Sequence, residues 1–287
     1  MTTLQKPTVK PASFEFIENV LRRGTDFFHT SIVSEALDIK LSKVPSPVIA
    51  EEELSGIKSR SEQLIWYPAV DINGKPITAE CIVTNLKNEA PMGGKILNSF
   101  DQPDCWYRKD GGEPFFNKET ARTDKSNLGS WRIVGTTPVP GTCGENFLRQ
   151  TIIASEYVSN TIYGGNPPEH LKPILNEPAE REQEIAKLMN SNWQEAAELL
   201  ANMPFSQQFR ETLVEALIRV VLNQKVNRVR FLEKEYSWTN GRSRFGELVD
   251  VGLADSDGAY VDGWYPRNSN GRVGFFLSRS ENVESES

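Results

Sequence analysis

The sequence predicts an α+β protein in which strand-forming text flanks a long helical middle. Three observations carry this. Residues 63–86 and 130–136 are short apolar runs rich in β-branched and aromatic residues. Residues 146–222 place apolar side chains at helical spacing, and from 230 to 279 the text returns to alternating strand-like runs broken by Gly, Asn and Asp. At 287 residues the chain can enclose a real core, as one large domain or two modest ones.

Residues 1–12 are polar, carry two prolines and predict a disordered tail. Ser13 then caps a short helix with Phe14, Ile17, Val20 and Leu21 at helical spacing, and a second helix is expected over Ser31–Leu41. After a Pro-punctuated segment at 43–47 and a Glu-rich stretch, Gln63–Val70 and Thr78–Leu86 read as two strands of a hairpin around Asn73-Gly74. Residues 88–128 are Gly-, Pro-, Asn- and Asp-rich and predict a long loop; Gly93-Gly94-Lys95 lacks the spacing of a phosphate loop. Ser130–Thr136 predicts a strand ended by Pro138 and Pro140, Asn146–Ser159 a helix, and Tyr163–Glu177 a Gly/Pro loop. Pro178 is read as the first turn of a helix carrying Ile185, Leu188 and Met189, and Ser191 with Gln194 as the capping box of the next. Ser206 is expected to cap the clearest helix, with Phe209, Leu213, Leu217 and Val220 on one stripe. Arg230–Thr239 predicts a strand, and the acidic end, 281–287, a disordered tail. The expected organisation is an N-terminal α+β region over 13–128 and a second domain over 129–280.

Several function classes are disfavoured. The net charge is −7, with 39 acidic and 32 basic residues, and the one basic run, Lys225–Arg230, is short, so no nucleic-acid surface is expected. Cys81, Cys105 and Cys143 cannot form a paired framework and are expected to be reduced. No apolar run approaches the ~18 residues of a membrane span, and the N-terminus lacks a secretory core, so the expected location is cytoplasmic or on a particle assembled there. His29 follows Phe27-Phe28 and reads as a core-edge residue; His170 sits in a Pro-rich loop. Cys143, in Gly141–Asn146, is the one enzyme-like feature, because a Cys at a helix start can have a lowered pKa. The alternative is a tight turn entering a helix. Asp255-Ser256-Asp257-Gly258 resembles the start of a calcium loop but lacks the further oxygen ligands. No metal or other cofactor is expected.

The informative stretch is Arg244–Arg279. One set of residues there is small, apolar or turn-forming: Val249, Val251, Gly252, Ala254, Ala259, Val261, Gly263 and Trp264 among them. Between them stand eleven residues with no common chemistry: Phe245, Asp250, Leu253, Asp255, Asp257, Tyr260, Asp262, Arg267, Asn268, Asn270 and Arg272. A strand with one wet face would show a uniformly polar second set. Phe, Asp, Leu, Tyr, Arg and Asn can all be written by codons that differ from AAC or AAT only at the first two bases. Lys, Gln and Met, which cannot, are absent from the stretch. Adenine-directed mutagenesis of asparagine codons would leave this pattern.

In this the chain resembles the variable proteins of diversity-generating retroelements, in which an error-prone reverse transcript of a template repeat is written into the end of a target gene. Val273–Arg279 looks like the last strand of the C-type-lectin-like fold most of them use (shared with the formylglycine-generating enzymes), although Phe276 stands where the usual pattern has Arg. Leu128-Gly129-Ser130-Trp131 is a partial match to a second family element, and the resemblance covers roughly 130–280. It implies a C-type-lectin-like domain whose first and last strands pair. It also implies a non-catalytic binder of a protein or glycan partner through the eleven interleaved residues, with residues before 129 available to anchor a larger assembly. Two alternatives stand beside it: an ordinary acidic hairpin in a structural or scaffold protein, and an enzyme using Cys143 or the acidic cluster.

Overall fold

Residues 213–224 of one helix are buried on every side, within the largest apolar cluster among the described residues. The computed structural model describes residues 12–98 and 119–280. Its elements run α1 (Phe14–Val20), β1 (Phe27–Phe28), α2 (Thr30–Leu37), α3 (Glu51–Ser59), β2 (Glu62–Pro68), α4 (Ala79–Asn85), β3 (Gly129–Gly135) and α5 (Phe147–Tyr157), which ends in a π turn, Val158–Ile162. They continue with α6 (Lys172–Glu180), α7 (Glu182–Ser191), α8 (Trp193–Asn202), α9 (Pro204–Phe209), α10 (Leu213–Lys225), β4 (Tyr236–Arg242), β5 (Leu248–Asp255), β6 (Gly258–Trp264), β7 (Val273–Gly274) and β8 (Ser278–Ser280). Among the described residues these strands form two mixed four-stranded sheets, ordered β1-β2-β3-β8 and β6-β5-β4-β7. The α+β class is therefore what the molecule has.

In the first sheet β2 and β3 pair antiparallel from Glu62↔Gly135 to Pro68↔Gly129, and β3 pairs antiparallel with β8 at Arg132↔Ser280 to Val134↔Ser278. The period-2 rule sends Leu64, Trp66, Trp131 and Ile133 to one face, under α1 and α3. Ile65, Tyr67 and Val134 go to the other face, toward α10. The expected boundary at 128/129 falls inside this sheet: β1 and β2 come from the N-terminal part, β3 and β8 from the C-terminal part. In the second sheet Val249, Val251, Ala259 and Val261 pack on α10, while Trp238 and Leu248 face α5, α8 and α9.

Ser13 caps α1, its Oγ accepting from Phe16 N at 3.1 Å, as expected. Five other local expectations need correction. The Asn73-Gly74 turn forms, with Val70 bridged to Pro76, but its return limb is helix α4 rather than a strand, because Thr78 caps it through Cys81 N. Pro178 lies inside α6; the first-turn proline is Pro173, so part of the expected 163–177 loop is helical. The cap of α8 is Asn192, not Ser191, its side chain accepting from Glu195 N. The helix expected from Ser206 is broken at Arg210, and α10 starts from a Thr212–Glu215 capping box. Only from Tyr236 is the expected 230–239 strand extended, and it runs on to Arg242. Both expected tails lie outside the described residues except Ala12, which is buried and bonds to the Ile49 carbonyl.

A polar network threads the core where amphipathic reading of α10 puts an outer face. Glu215 accepts from the backbone and guanidinium of Arg122 and from Thr212 N. Arg219 pairs with Glu211, which also accepts from Tyr67 Oη at 3.0 Å. Burial alone would push the Glu215 carboxyl up, but Arg122 and Arg132 hold it below the usual range. For Glu211 burial wins, and its carboxyl lies above that range.

Candidate functional site

The interleaved residues fall on and around the β5–β6 hairpin and the 265–272 loop. Phe245 stands 46% exposed in the turn before β5, with the Arg244 guanidinium over its ring. At the other end of β5, Asp255 Oδ1 accepts from Asp257 N at 2.8 Å and Gly258 takes φ +98. This Asx turn accounts for the calcium-like text. Among the described residues no group of three His, Cys, Asp or Glu is placed to hold a metal. Residues 93–98 lie alongside the turn: Lys95 N donates to Ser256 O, and Ala259 exchanges backbone hydrogen bonds with Ile96 and Asn98. Gly93-Gly94-Lys95 is thus a strand-edge support.

Leu253 sits where the β5–β6 register shifts, at φ +47, a left-handed conformation that costs a leucine about 1–2 kcal/mol. Asparagine tolerates it better. Leu253→Asn is expected to raise stability by about 0.5–1 kcal/mol in urea unfolding; a loss would show that Leu253 packing outweighs the backbone term.

Between these ends the sheet register builds three rows on one face. Tyr236, Gly252 and Tyr260 form the first; Trp238, Asp250 and Asp262 the second; Leu248 and Trp264 the third. Tyr260 and Trp264 are partly exposed, and Asp262 is exposed on the edge strand with Oδ2 accepting from Trp264 Nε1 at 3.3 Å. Arg267 and Arg272 are exposed on the following loop, with Asn268 and Asn270 half-buried in its turns. The Tyr236 hydroxyl is pushed up to about 12 by burial, then by Asp250, Asp262 and Tyr260, against a smaller opposing effect of Arg272. Tyr236 therefore joins the strand residues to the loop. Sequence reading placed it only within the expected strand 230–239, since its partners are set by register.

Asp250 departs from the expectation that every interleaved side chain reaches solvent. It is 1% exposed, and neither carboxylate oxygen has a hydrogen-bond partner. Burial, then the Asp262 carboxylate opposite, pushes its carboxyl well above the usual aspartate range, with the Asp262 backbone N–H opposing weakly. An unfolded Asp titrates near ~3.9. Between that value and the folded one, the folded state holds a proton that the unfolded state has released, so stability falls as pH rises through this window. Asp250→Asn cannot ionise, so it is expected to lack this fall and to gain on the parent as pH rises from 4 to 8. Parallel pH–stability curves for the two proteins would refute this.

The other chemistry is unpromising. Cys143 is exposed, three residues before the Asn146 cap of α5, and burial and then Glu235 push its thiol up, opposite to an activated nucleophile. His29 packs edge-on to Phe14 at 5.0 Å and beside Trp131, the core-edge setting expected of it. Cys105 lies outside the described residues. No helix among the described residues is long and apolar enough to cross a membrane.

No family model, curated protein or solved structure matches this chain.

Proposed function

We propose that this protein is a non-catalytic binder of a protein or glycan partner, whose C-terminal surface is diversified by adenine-directed mutagenesis. The observation that carries the reading is how the two interleaved sets divide. Val249, Val251, Ala254, Ala259 and Val261 are buried, whereas of the eleven odd residues only Asp250 is. Exposed positions accept substitution at a cost usually within about 0.5 kcal/mol each. Affinity can therefore vary while the scaffold stays folded. Phe245 and Tyr260 are the anchors, since aromatic residues bring large contact area at low entropy cost.

A C-type-lectin-like arrangement of 129–280 is supported by the chain order of strand, helices and then strands, and by the antiparallel pairing of β3 with β8. The added β1 and β2 extend that sheet beyond this unit.

The reading is tested by sequencing the DNA flanking the gene. A near-copy of codons 244–279 beside a reverse-transcriptase gene, with mismatches confined to template adenines, is the expected result. Absence of any such repeat would leave an ordinary hairpin.

A further inference from the structure

We propose that the cleft beside the β3–β8 edge of the first sheet binds an oxyanion, the carboxylate or phosphoryl group of a small molecule, on Arg132 and Arg122. None of the eleven interleaved residues lines this cleft, so the site stands independently of the diversified surface.

A cavity of about 550 Å³ opens there, lined in part by Arg122, Thr123, Asp124, Ser130, Arg132 and Ser280. Small-molecule sites commonly measure ~300–1,000 Å³. Ser130 and Arg132 alternate with Trp131 and Ile133, so they project on the side of the sheet that Val134 turns toward α10. Ser280 stands opposite Arg132 on β8, and residues 120–124 supply a second wall.

The charges behind this cavity do not balance. Three guanidiniums, of Arg122, Arg132 and Arg219, meet two carboxylates, of Glu211 and Glu215. Glu215 is engaged by Arg122, and Glu211 by Arg219. Arg132 is 5% exposed and is left with neutral acceptors: its Nε donates to Ser278 Oγ at 3.2 Å, and its Nη2 to the Gln208 and Ser278 carbonyls. Buried charges are ordinarily paired. Burial, then Arg122, lowers the Arg132 guanidinium to about 9, against the weaker opposing effects of Glu215 and Glu211. What the cluster lacks is one anion.

That anion has a place to bind. Arg132 Nη1 makes no hydrogen bond among the described residues, yet it is not one of the enclosed unpartnered atoms of the core, as Arg210 Nη1 and Arg279 Nη1 are. It therefore keeps access to the cavity that Arg132 lines. Arg122 brings a second guanidinium, 19% exposed, whose Nη1 donates to the Gln207 carbonyl and has a further N–H to give. Thr123 is exposed at the rim. Asp124 also lies on the wall, but its Oδ1 accepts from the Ser126 backbone and hydroxyl. Planar guanidiniums with free N–H groups match the geometry of oxyanions and bind them more strongly than neutral acceptors.

The experiment titrates the full chain, isotopically labelled in its arginines, with inorganic phosphate and with acetate at constant ionic strength. It follows the guanidinium NMR signals of Arg122 and Arg132 against those of the exposed Arg22 and Arg267. Saturable shifts confined to the first pair are expected, with a Kd in the millimolar range, and the tighter of the two anions names the group the ligand carries. Thr123→Glu puts a carboxylate at the rim and leaves both arginines in place, so it should weaken binding at least ~tenfold. Arg132→Met should abolish binding; if that variant does not fold, Thr123→Glu decides alone. Shifts that do not saturate, that are equal at Arg22 and Arg267, that chloride reproduces, or that Thr123→Glu leaves unchanged overturn the proposal.

Discussion

Glu215→Ala is expected to lower the unfolding free energy by about 3–5 kcal/mol, the cost of breaking a buried ion pair from one side. Glu215 is fully buried on the first turn of α10 and serves two partners at once. One oxygen closes the capping box on Thr212 N, and both hold the Arg122 guanidinium. Removing it strands Arg122 beside Arg132, whose own guanidinium is already depressed to about 9 by burial and by Arg122. Urea unfolding of the variant measures the loss. Adding Arg122→Met to Glu215→Ala should recover a substantial part of it, because the uncompensated charge is then gone. If the double variant is no better than the single one, the loss comes from the cap, and the expected magnitude drops to about 1 kcal/mol.

Gly252→Val is expected to cost about 3 kcal/mol or more, at the upper end of overpacking effects. A Cβ at this position would lie 2.1 Å from the Glu235 carbonyl oxygen and 2.5 Å from Tyr236 Cα. These are backbone atoms of the neighbouring strand, so no rotamer change relieves the contact. β4 and β5 must part, and the row that holds Tyr236 beside Tyr260 parts with them. Gly252→Ala should lose nearly as much, since the first carbon makes the clash. Gly74→Ala is the control: its φ of +77 carries strain, but nothing lies within 4 Å of the added carbon. It should cost only the ~1–2 kcal/mol of a left-handed alanine. Equal losses at both glycines would show that conformation, not contact, governs Gly252.

Where one physical signal dominated, the sequence was informative. β3 and the core-facing positions of β5 and β6 follow from alternation, and the start of α1 from its cap. Errors arose where two signals competed. Ala79, Ile82, Val83 and Leu86 fit helical spacing as well as the β-branched text fits a strand, and the Thr78 cap decides between them. Pro173 and Pro178 are both plausible first-turn residues, and the helix starts at the former, with Leu175 and Pro178 buried. The α10 stripe was legible, but the burial of Glu215 and Arg219 was not, because Glu215 pairs with Arg122, 93 residues away, and Arg219, besides the nearby Glu211, donates to the Gly135 carbonyl 84 residues away. The same limit hid the buried state of Asp250. Codon pattern marks it as equivalent to its ten companions, whereas its place on the central strand β5, between β6 and β4, goes with its burial.

Residues 273–280 lie downstream of all eleven interleaved positions, and they tie the molecule together. Phe275 enters the cluster around α5 and α9, Phe276 enters the one around α10, and Arg279 neutralises Glu62 and Glu53 across the first sheet. A gene copy that slipped frame or gained a stop codon within 244–272 would therefore lose the piece that joins two cores and leave Glu62 with fewer counter-charges. Such a product could not complete its fold and would be open to proteolysis. If residues 244–272 are rewritten as proposed, the architecture would check the reading frame of each copy, because only a chain translated through residues 273–280 joins the two cores.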